Sequence, residues 1–190
     1  TKDLVDRVMK HWIMEFKVDG FRFDLSKGFT QVDNPNDVGA WGQYDQSRVN
    51  LIQRIANVCW AEDNDFYVIL EHFANNGEEK VLADAGMMLW GNHTHNYNEA
   101  TMGYISSSNF NWIDYQQRNW ANPHVMGYME SHDEERLAVR LKNEGKFSLA
   151  YDIREPAQML ERAKMAAAFW ALTPGPKMLW QYGEVGYDFE

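Results

Sequence analysis

The chain has 190 residues, enough for a sizeable core, and we expect a single domain over residues 1–190. Its formal net charge of −10 argues against a nucleic-acid partner, which needs a basic surface, and against an anionic membrane surface. No apolar run approaches the roughly 20 residues of a membrane span. The single cysteine, Cys59, excludes an internal disulfide and a CxxC metal site. No signal peptide is visible, and the compartment stays open.

The first half of the chain predicts two helices and two strands. Apolar residues at helical spacing from position 4 to position 16 predict an amphipathic helix that closes by Gly20. Residues 21–24 are predicted as a short strand, and a polar loop over 26–44 follows. A second helix begins near Asp45 or Ser47, either of which can cap it. The continuous apolar run over 66–71 is typical of a strand buried on both faces.

The second half continues the alternation of helices and strands. The elements predicted there are a helix over 78–85, a strand over 87–90, a helix around 112–120 within the polar stretch 91–123, a strand over 125–130, a charged loop, a helix that begins at Glu155-Pro156, and a strand over 177–182. Such alternation predicts parallel strands joined by helical crossovers. The fold class is therefore α/β, with about five parallel strands.

Three acidic residues lie at or just after the ends of predicted strands: Asp24, Glu71 and Asp133. If the first two strands are adjacent and parallel, Asp24 and Glu71 open onto the edge where a (β/α) barrel carries its catalytic groups. Two carboxylates facing each other suit the cleavage of a glycosidic bond. Arg22 shares a strand face with Asp24 and favours its ionised form, as a nucleophile requires. The apolar run before Glu71 favours a protonated general acid.

Each of these acids could instead be a helix cap or a solvated loop residue. Spacing alone leaves that alternative open, because a single acid after a strand is common in proteins without any catalytic role. The presence of three such acids in one alternating array, with a cation beside one of them, weighs toward a site.

Four segments resemble motifs of the α-amylase family of glycoside hydrolases. Residues 20–27 read GFRFDLSK and resemble the nucleophile motif G-x-R-x-D-A-x-K-H. Residues 69–71 resemble the strand that carries the acid/base Glu, and residues 129–133 resemble the motif ending in N-H-D. Residues 175–184 resemble the last-strand motif G-x-P-x-x-x-Y-x-G-x-E imperfectly. The four segments occur in family order and together cover nearly the whole chain.

The resemblance implies an enzyme that cleaves an α-glucan, such as starch or maltodextrin, by a retaining double displacement. It makes Asp24 the nucleophile and Glu71 the acid/base, while Asp133 stabilises the transition state through sugar hydroxyls. The roles that it implies for the neighbouring residues concern substrate binding: Arg22 supports Asp24, Lys27 lines the sugar subsites, and His132 binds the same ring as Asp133.

The sequence also departs from the family pattern. Gly28 stands where the family commonly has His, and Ser131 replaces the usual Asn. The first motif, D-x-x-x-N-H, is absent, as are the first three strands and the domain inserted after the third. The resemblance therefore implies part of a (β/α)8 TIM barrel, from the fourth strand onward. Since the family's calcium site uses the missing groups, we expect no metal and no cofactor.

Several other interpretations remain open at this point. A metal site could use some of four histidines, although the H-x-H pair in the Gly/Asn-rich loop is better explained as solvent-facing: His72, His93, His95 and His132. The chain could be a catalytically inert piece, or it could self-associate through open sheet edges. Hydrolysis and transglycosylation use the same acids, so a branching enzyme or another α-glucan transferase is an alternative. Aromatic residues fit a polysaccharide cleft or the core equally well: Trp41, Tyr44, Trp90, Tyr97 and Trp112.

Overall fold

The computed structural model describes residues 1–189, and within them the chain has the predicted α/β organisation. The helices and strands are, in chain order, α1 (Lys2–Phe16), β1 (Gly20–Phe23), α2 (Gln46–Glu62), β2 (Tyr67–Leu70), α3 (Asn76–Asp84), β3 (Met88–Asn92), α4 (Thr94–Met102), β4 (Val125–Tyr128), α5 (Leu137–Glu144) and α6 (Pro156–Leu172). Short 3₁₀ helices lie in the connections, among them Ser26–Phe29 and Val38–Gly42.

The strands form one all-parallel sheet in the order β1-β2-β3-β4, with helical crossovers. Strand β1 pairs with β2 from Gly20↔Tyr67 to Phe23↔Leu70, and β2 pairs with β3 through Ile69↔Met88 and Leu70↔Leu89. The predicted parallel α/β fold is confirmed at this level. Because the crossovers cover the faces of a parallel sheet, its strands are apolar along most of their length.

The predicted fifth strand over 177–182 is wrong. Lys177 forms one isolated parallel bridge with Gly127, through hydrogen bonds that flank Lys177 from Gly127 N to Pro176 O (2.9 Å) and from Met178 N to Gly127 O (3.0 Å). The extended conformation ends soon afterwards, because Tyr182 adopts a left-handed conformation with φ 67°. A 3₁₀ turn over Gly183–Val185 follows.

The chain divides into two compact units, which we describe separately. The first comprises Thr1–Trp90 with Arg118–His124, and the second comprises Gly91–Gln117 and the residues from Val125 onward. In the first unit, α1 packs on α2 through its buried residues Met9 and Ile13. Much of the predicted apolar stripe of α1 is nevertheless exposed, including Trp12 and Phe16.

Helix α2 begins where the sequence predicts. Its N-cap is Asp45, whose carboxylate accepts hydrogen bonds from Ser47 N and Arg48 N and so satisfies two of the free amides at the helix start. Cys59 lies on the inner face of this helix with no exposed surface, as predicted for a structural cysteine. Burial raises the pKa of its thiol to about 11.

The core of the second unit joins α4, α5 and α6. Its buried members are Tyr97, Met102, Ile113, Met129, Leu137, Ala138, Leu141, Ile153, Met159 and Ala166. Helix α5 lies where a charged loop was predicted. It buries an apolar face that includes Leu137 and Leu141, and the buried carboxylate of Glu130 stabilises its start by accepting a hydrogen bond from Leu137 N at 2.6 Å. The helix predicted around 112–120 is instead a 3₁₀ turn over Asn111–Ile113 followed by turns, since Asp114 Oδ1 captures Gln116 N in a local turn.

Candidate active site

Asp24 and Glu71 directly follow the ends of two adjacent parallel strands. Phe23 and Leu70 are paired in the register of β1 and β2, so the next residue of each strand emerges at the same carboxyl edge. Hydrogen bonds continue across the two chains beyond the strands, from Glu71 N to Phe23 O (3.0 Å) and from Ser26 N to Glu71 O (2.8 Å). The adjacency that the sequence argument required is therefore present.

One guanidinium contacts both carboxylates. Arg22 Nη1 donates a hydrogen bond to Asp24 Oδ1 at 2.5 Å, and Arg22 Nη2 lies 3.4 Å from Glu71 Oε2. The same group lies over the indole ring of Trp90, 5.0 Å from the ring centroid. Arg22 and Asp24 thus project together, as residues two apart on a strand should. The guanidinium brings Glu71 into the same cluster of charges.

The two carboxylates differ in their exposure to solvent. The side chain of Asp24 is 77% exposed, whereas that of Glu71 is 13% exposed. Asp24 is therefore open to a molecule approaching from solvent, while Glu71 is held against the protein in a fixed orientation.

The surroundings of Glu71 differ from the apolar ones that the preceding run predicted. Glu71 Oε2 accepts a hydrogen bond from Leu25 N at 2.7 Å and faces the Arg22 guanidinium. The reason is local geometry: Leu25 adopts a left-handed conformation with φ 42°, which turns its amide toward the end of β2. Within the run, Val68 and Leu70 are buried but Tyr67 is exposed, so the predicted burial of this strand on both faces is wrong.

Lys27 lies in the 3₁₀ helix Ser26–Phe29, immediately after the turn at Leu25. Its side chain is half-buried, and its carbonyl oxygen accepts a hydrogen bond from Arg48 Nη1 at 2.8 Å. The backbone of this candidate sugar-binding residue is therefore fixed by a side chain of α2.

His132 and Asp133 belong to the second unit and follow β4 after three buried residues, 129–131. Both side chains are exposed, with His132 Nε2 3.3 Å from Asp133 Oδ2. The Asp133 amide donates a hydrogen bond to Ser131 Oγ at 3.3 Å, and the His132 ring lies 5.8 Å from the ring of Trp180. The structure thus brings Arg22, Asp24 and Glu71 together in one unit and pairs His132 with Asp133 in the other.

A buried hydrogen-bonded array behind the first cluster was not predicted. It consists of four side chains with essentially no exposed surface: Ser26, Arg48, His72 and Glu78. Ser26 Oγ lies 2.8 Å from His72 Nδ1, and His72 Nε2 lies 2.7 Å from Glu78 Oε1. The order Ser-His-acid matches that of a hydrolytic triad, but Ser26 has no exposed surface and cannot meet a substrate. The members of this array are far apart in the sequence, so no local pattern predicted it. The only sequence signal was the position of His72 beside Glu71.

The histidines do not form a metal site within residues 1–189. No group of three or more His, Cys, Asp and Glu side chains there could hold a metal ion. His93 is buried, with Nδ1 3.1 Å from Gly91 O, so its predicted exposure to solvent is wrong, whereas His95 is exposed. Among the described helices, none is long and apolar enough to cross a membrane.

The candidate stacking residues differ in exposure. Trp90 and Tyr97 are buried, Trp41 is partly buried, and Tyr44 and Trp112 are exposed. A cavity of about 620 Å³ lies in the second unit, lined by mostly apolar side chains of α5, α6 and residues 178–187. None of the six predicted site residues lines it, although Trp180, whose ring lies near His132, does.

Searches of protein-family models and of curated proteins found no match to this chain. The chemistry proposed below therefore depends on the geometry of the residues and on the motif resemblance.

Proposed function

We propose that this chain carries the catalytic acids of a retaining glycoside hydrolase that acts on an α-glucan. Asp24 is the nucleophile, Glu71 is the acid/base, and Asp133 with His132 binds the sugar ring and stabilises the transition state. Lys27 binds a neighbouring sugar. The parallel sheet is, in this proposal, part of a (β/α)8 barrel of the α-amylase type.

One observation carries the proposal. A single guanidinium contacts two carboxylates that emerge from the carboxyl ends of adjacent parallel strands. Arg22 lies closer to Asp24, so it stabilises the charge of the group that must attack. Glu71 is the less exposed carboxyl, and Leu25 N orients it. A general acid needs such a fixed position to donate its proton to the substrate.

The chemistry follows from this division of roles. An Asp24 oxygen attacks the anomeric carbon, and the glycosidic C–O bond breaks while Glu71 gives its proton to the departing oxygen. Glu71, now ionised, takes a proton from water, which attacks the anomeric carbon and releases the carboxylate of Asp24. The anomeric configuration is retained because the carbon is inverted twice. If a sugar hydroxyl replaces the water, the same steps give transglycosylation.

The direct test is covalent trapping. The protein is incubated with an activated 2-fluoro-α-glucoside or its maltosyl homologue, digested, and analysed by mass spectrometry for a glycosylated peptide. We expect the label on Asp24, and we expect Asp24→Asn to abolish it while Asp19→Asn, a change five residues away, leaves it intact. A label on another carboxylate contradicts the assigned roles, and release of a product with inverted anomeric configuration contradicts the retaining mechanism.

A further inference from the structure

Arg48 uses every one of its hydrogen-bond donors inside the first unit. A guanidinium has five N–H groups. Two of them bind the carboxylate of Glu78, from Nε (2.6 Å) and from Nη2 (2.7 Å). The other three bind the backbone oxygens of Lys27, Trp41 and Gln43 at 2.8 to 2.9 Å. Arg48 therefore ties the loop after β1 to the start of α3.

Glu78 is equally saturated as an acceptor. Its Oε1 contacts Arg48 Nε and His72 Nε2, and its Oε2 contacts Arg48 Nη2 and Asp45 N. Burial raises the pKa of Glu78, but the hydrogen bonds from His72 and Arg48 outweigh it, and the pKa lies below its usual value. An ionised carboxylate has no proton to offer, so the proton between His72 and Glu78 belongs to His72 Nε2.

The other side of the imidazole faces the candidate catalytic residues. Ser26 Oγ lies between His72 Nδ1 (2.8 Å) and Glu71 O (2.9 Å), and Ser26 N donates to the same Glu71 oxygen. Leu25 N in turn donates to the Glu71 carboxylate. The turn after Asp24 is thus bound to Glu71 in two ways. Leu25 contacts the Glu71 side chain, and Ser26 contacts the Glu71 backbone oxygen.

We propose that Ser26, His72, Glu78 and Arg48 form a positioning array that holds the Glu71 carboxyl in place relative to Asp24. In this array His72 carries a proton on Nε2 and donates it in a hydrogen bond to Glu78. The array also holds the left-handed turn at Leu25, a conformation that costs a non-glycine residue free energy and needs support from its surroundings. The assignment of positioning to Glu71 rests on the proposed function, whereas the proton on His72 Nε2 and the turn do not.

The first test does not depend on enzymatic activity. The protein is labelled with ¹⁵N-histidine, and long-range ¹H–¹⁵N correlation spectra report which ring nitrogens are protonated. The chain has six histidines, and the spectrum of His72→Gln identifies the signals of His72 by their loss. We expect His72 Nε2 to be protonated at pH 7. An unprotonated Nε2 overturns the array, whatever the activity of the protein.

The second test probes the turn at Leu25. Ser26→Ala removes the hydroxyl and keeps the backbone. We expect hydrogen exchange of the Leu25 amide to become about tenfold faster, the effect of losing about one net hydrogen bond. The Glu71 amide, which bonds to Phe23 O in the strand ladder, serves as the internal control and should change little. Unchanged exchange at Leu25 overturns the array as the support of this turn.

The third test separates positioning from general stability. Glu78→Gln is compared with Glu79→Gln, which alters the neighbouring buried carboxylate that pairs with Arg118 away from the array. On a glucan with a poor leaving group we expect Glu78→Gln to lower kcat/KM about 10²-fold, the scale of a misplaced catalytic group. On an α-glucosyl fluoride, whose departure needs little acid assistance, the loss should stay below about tenfold, because general-acid catalysis is then dispensable.

The outcomes of the kinetic test point to different conclusions. Equal losses on both substrates, or equal losses in Glu78→Gln and Glu79→Gln, overturn the positioning of Glu71. Inactivity of the unmodified protein on both substrates refutes the proposed function. In that case the NMR test still decides whether His72 Nε2 is protonated, and the hydrogen-exchange test still decides whether the array supports the turn at Leu25. If Glu78→Gln does not fold, Ser26→Ala replaces it in the kinetic comparison.

Discussion

Replacing Arg48 with Met is expected to be among the most destabilising single changes in the first unit. Methionine fills much of the space of the arginine side chain but donates no hydrogen bond. Glu78, which has no exposed surface, would lose two of its four donors, and three backbone oxygens would lose one each. A buried charge left without its partner costs about 3–5 kcal/mol. At roughly 2–4 °C for each kcal/mol in a chain of this size, Tm should fall by about 6–20 °C.

The measurement is urea denaturation followed by circular dichroism, with Arg54→Met as the matched control. Arg54 pairs with Asp6 across α1 and α2, and both side chains of that pair are partly exposed. Because solvent screens such a pair, Arg54→Met should lower the free energy of unfolding much less than Arg48→Met does. The double variant Arg48→Met/Glu78→Leu should lose less free energy of unfolding than the two single variants lose in sum, since no unpaired charge remains. A loss in Arg48→Met no larger than that in Arg54→Met would refute the reasoning.

Three further predictions follow from single residues. Glu71→Gln should lower kcat on glucan about 10²–10⁴-fold, the usual worth of an acid/base group, as initial rates would reveal; an unchanged rate contradicts its role. Asp45→Ala removes the N-cap of α2 and should lower the free energy of unfolding by about 0.5–2 kcal/mol at pH 7. Burial raises the pKa of Asp45, but the hydrogen bonds from Ser47 and Thr30 lower it to about 2, against an ordinary value of 3.8. The carboxylate therefore stabilises the fold above about pH 4, and its contribution is lost as the pH falls through 2. Urea titrations at pH 7 and pH 2 should show the difference between Asp45→Ala and the unmodified protein disappear at the lower pH. Cys59 should react with a thiol reagent at pH 8 only as fast as the first unit opens, because its thiol is buried and its pKa is about 11; rapid labelling of the folded protein would contradict this.

Local pattern was a good guide wherever a residue's neighbours in sequence decide its structure. The cap at Asp45, the strand Tyr67–Leu70 and the start of α6 at Pro156 all follow from short stretches, although Tyr67 is exposed and the strand is not buried on both faces as predicted.

The failures have different causes. The helix predicted around 112–120 is replaced by a local turn at Asp114, whereas α5 was missed although Leu137, Ala138 and Leu141 give it a buried apolar face. Its start is also stabilised by Glu130, a carboxylate outside the helix that accepts the amide of Leu137.

The alternation of helices and strands and the acids at the ends of two strands could be predicted from the residues alone, because periodicity and composition act over a few residues. The pairing of β1 with β2, through which Arg22 contacts both Asp24 and Glu71, became evident only in the folded chain. The tertiary structure also replaced the apolar setting predicted for Glu71 with the amide of Leu25, and it assembled an array from Ser26, Arg48, His72 and Glu78. The physical reason is that hydrogen bonds and ion pairs depend on distances of a few ångströms between groups that lie far apart along the chain.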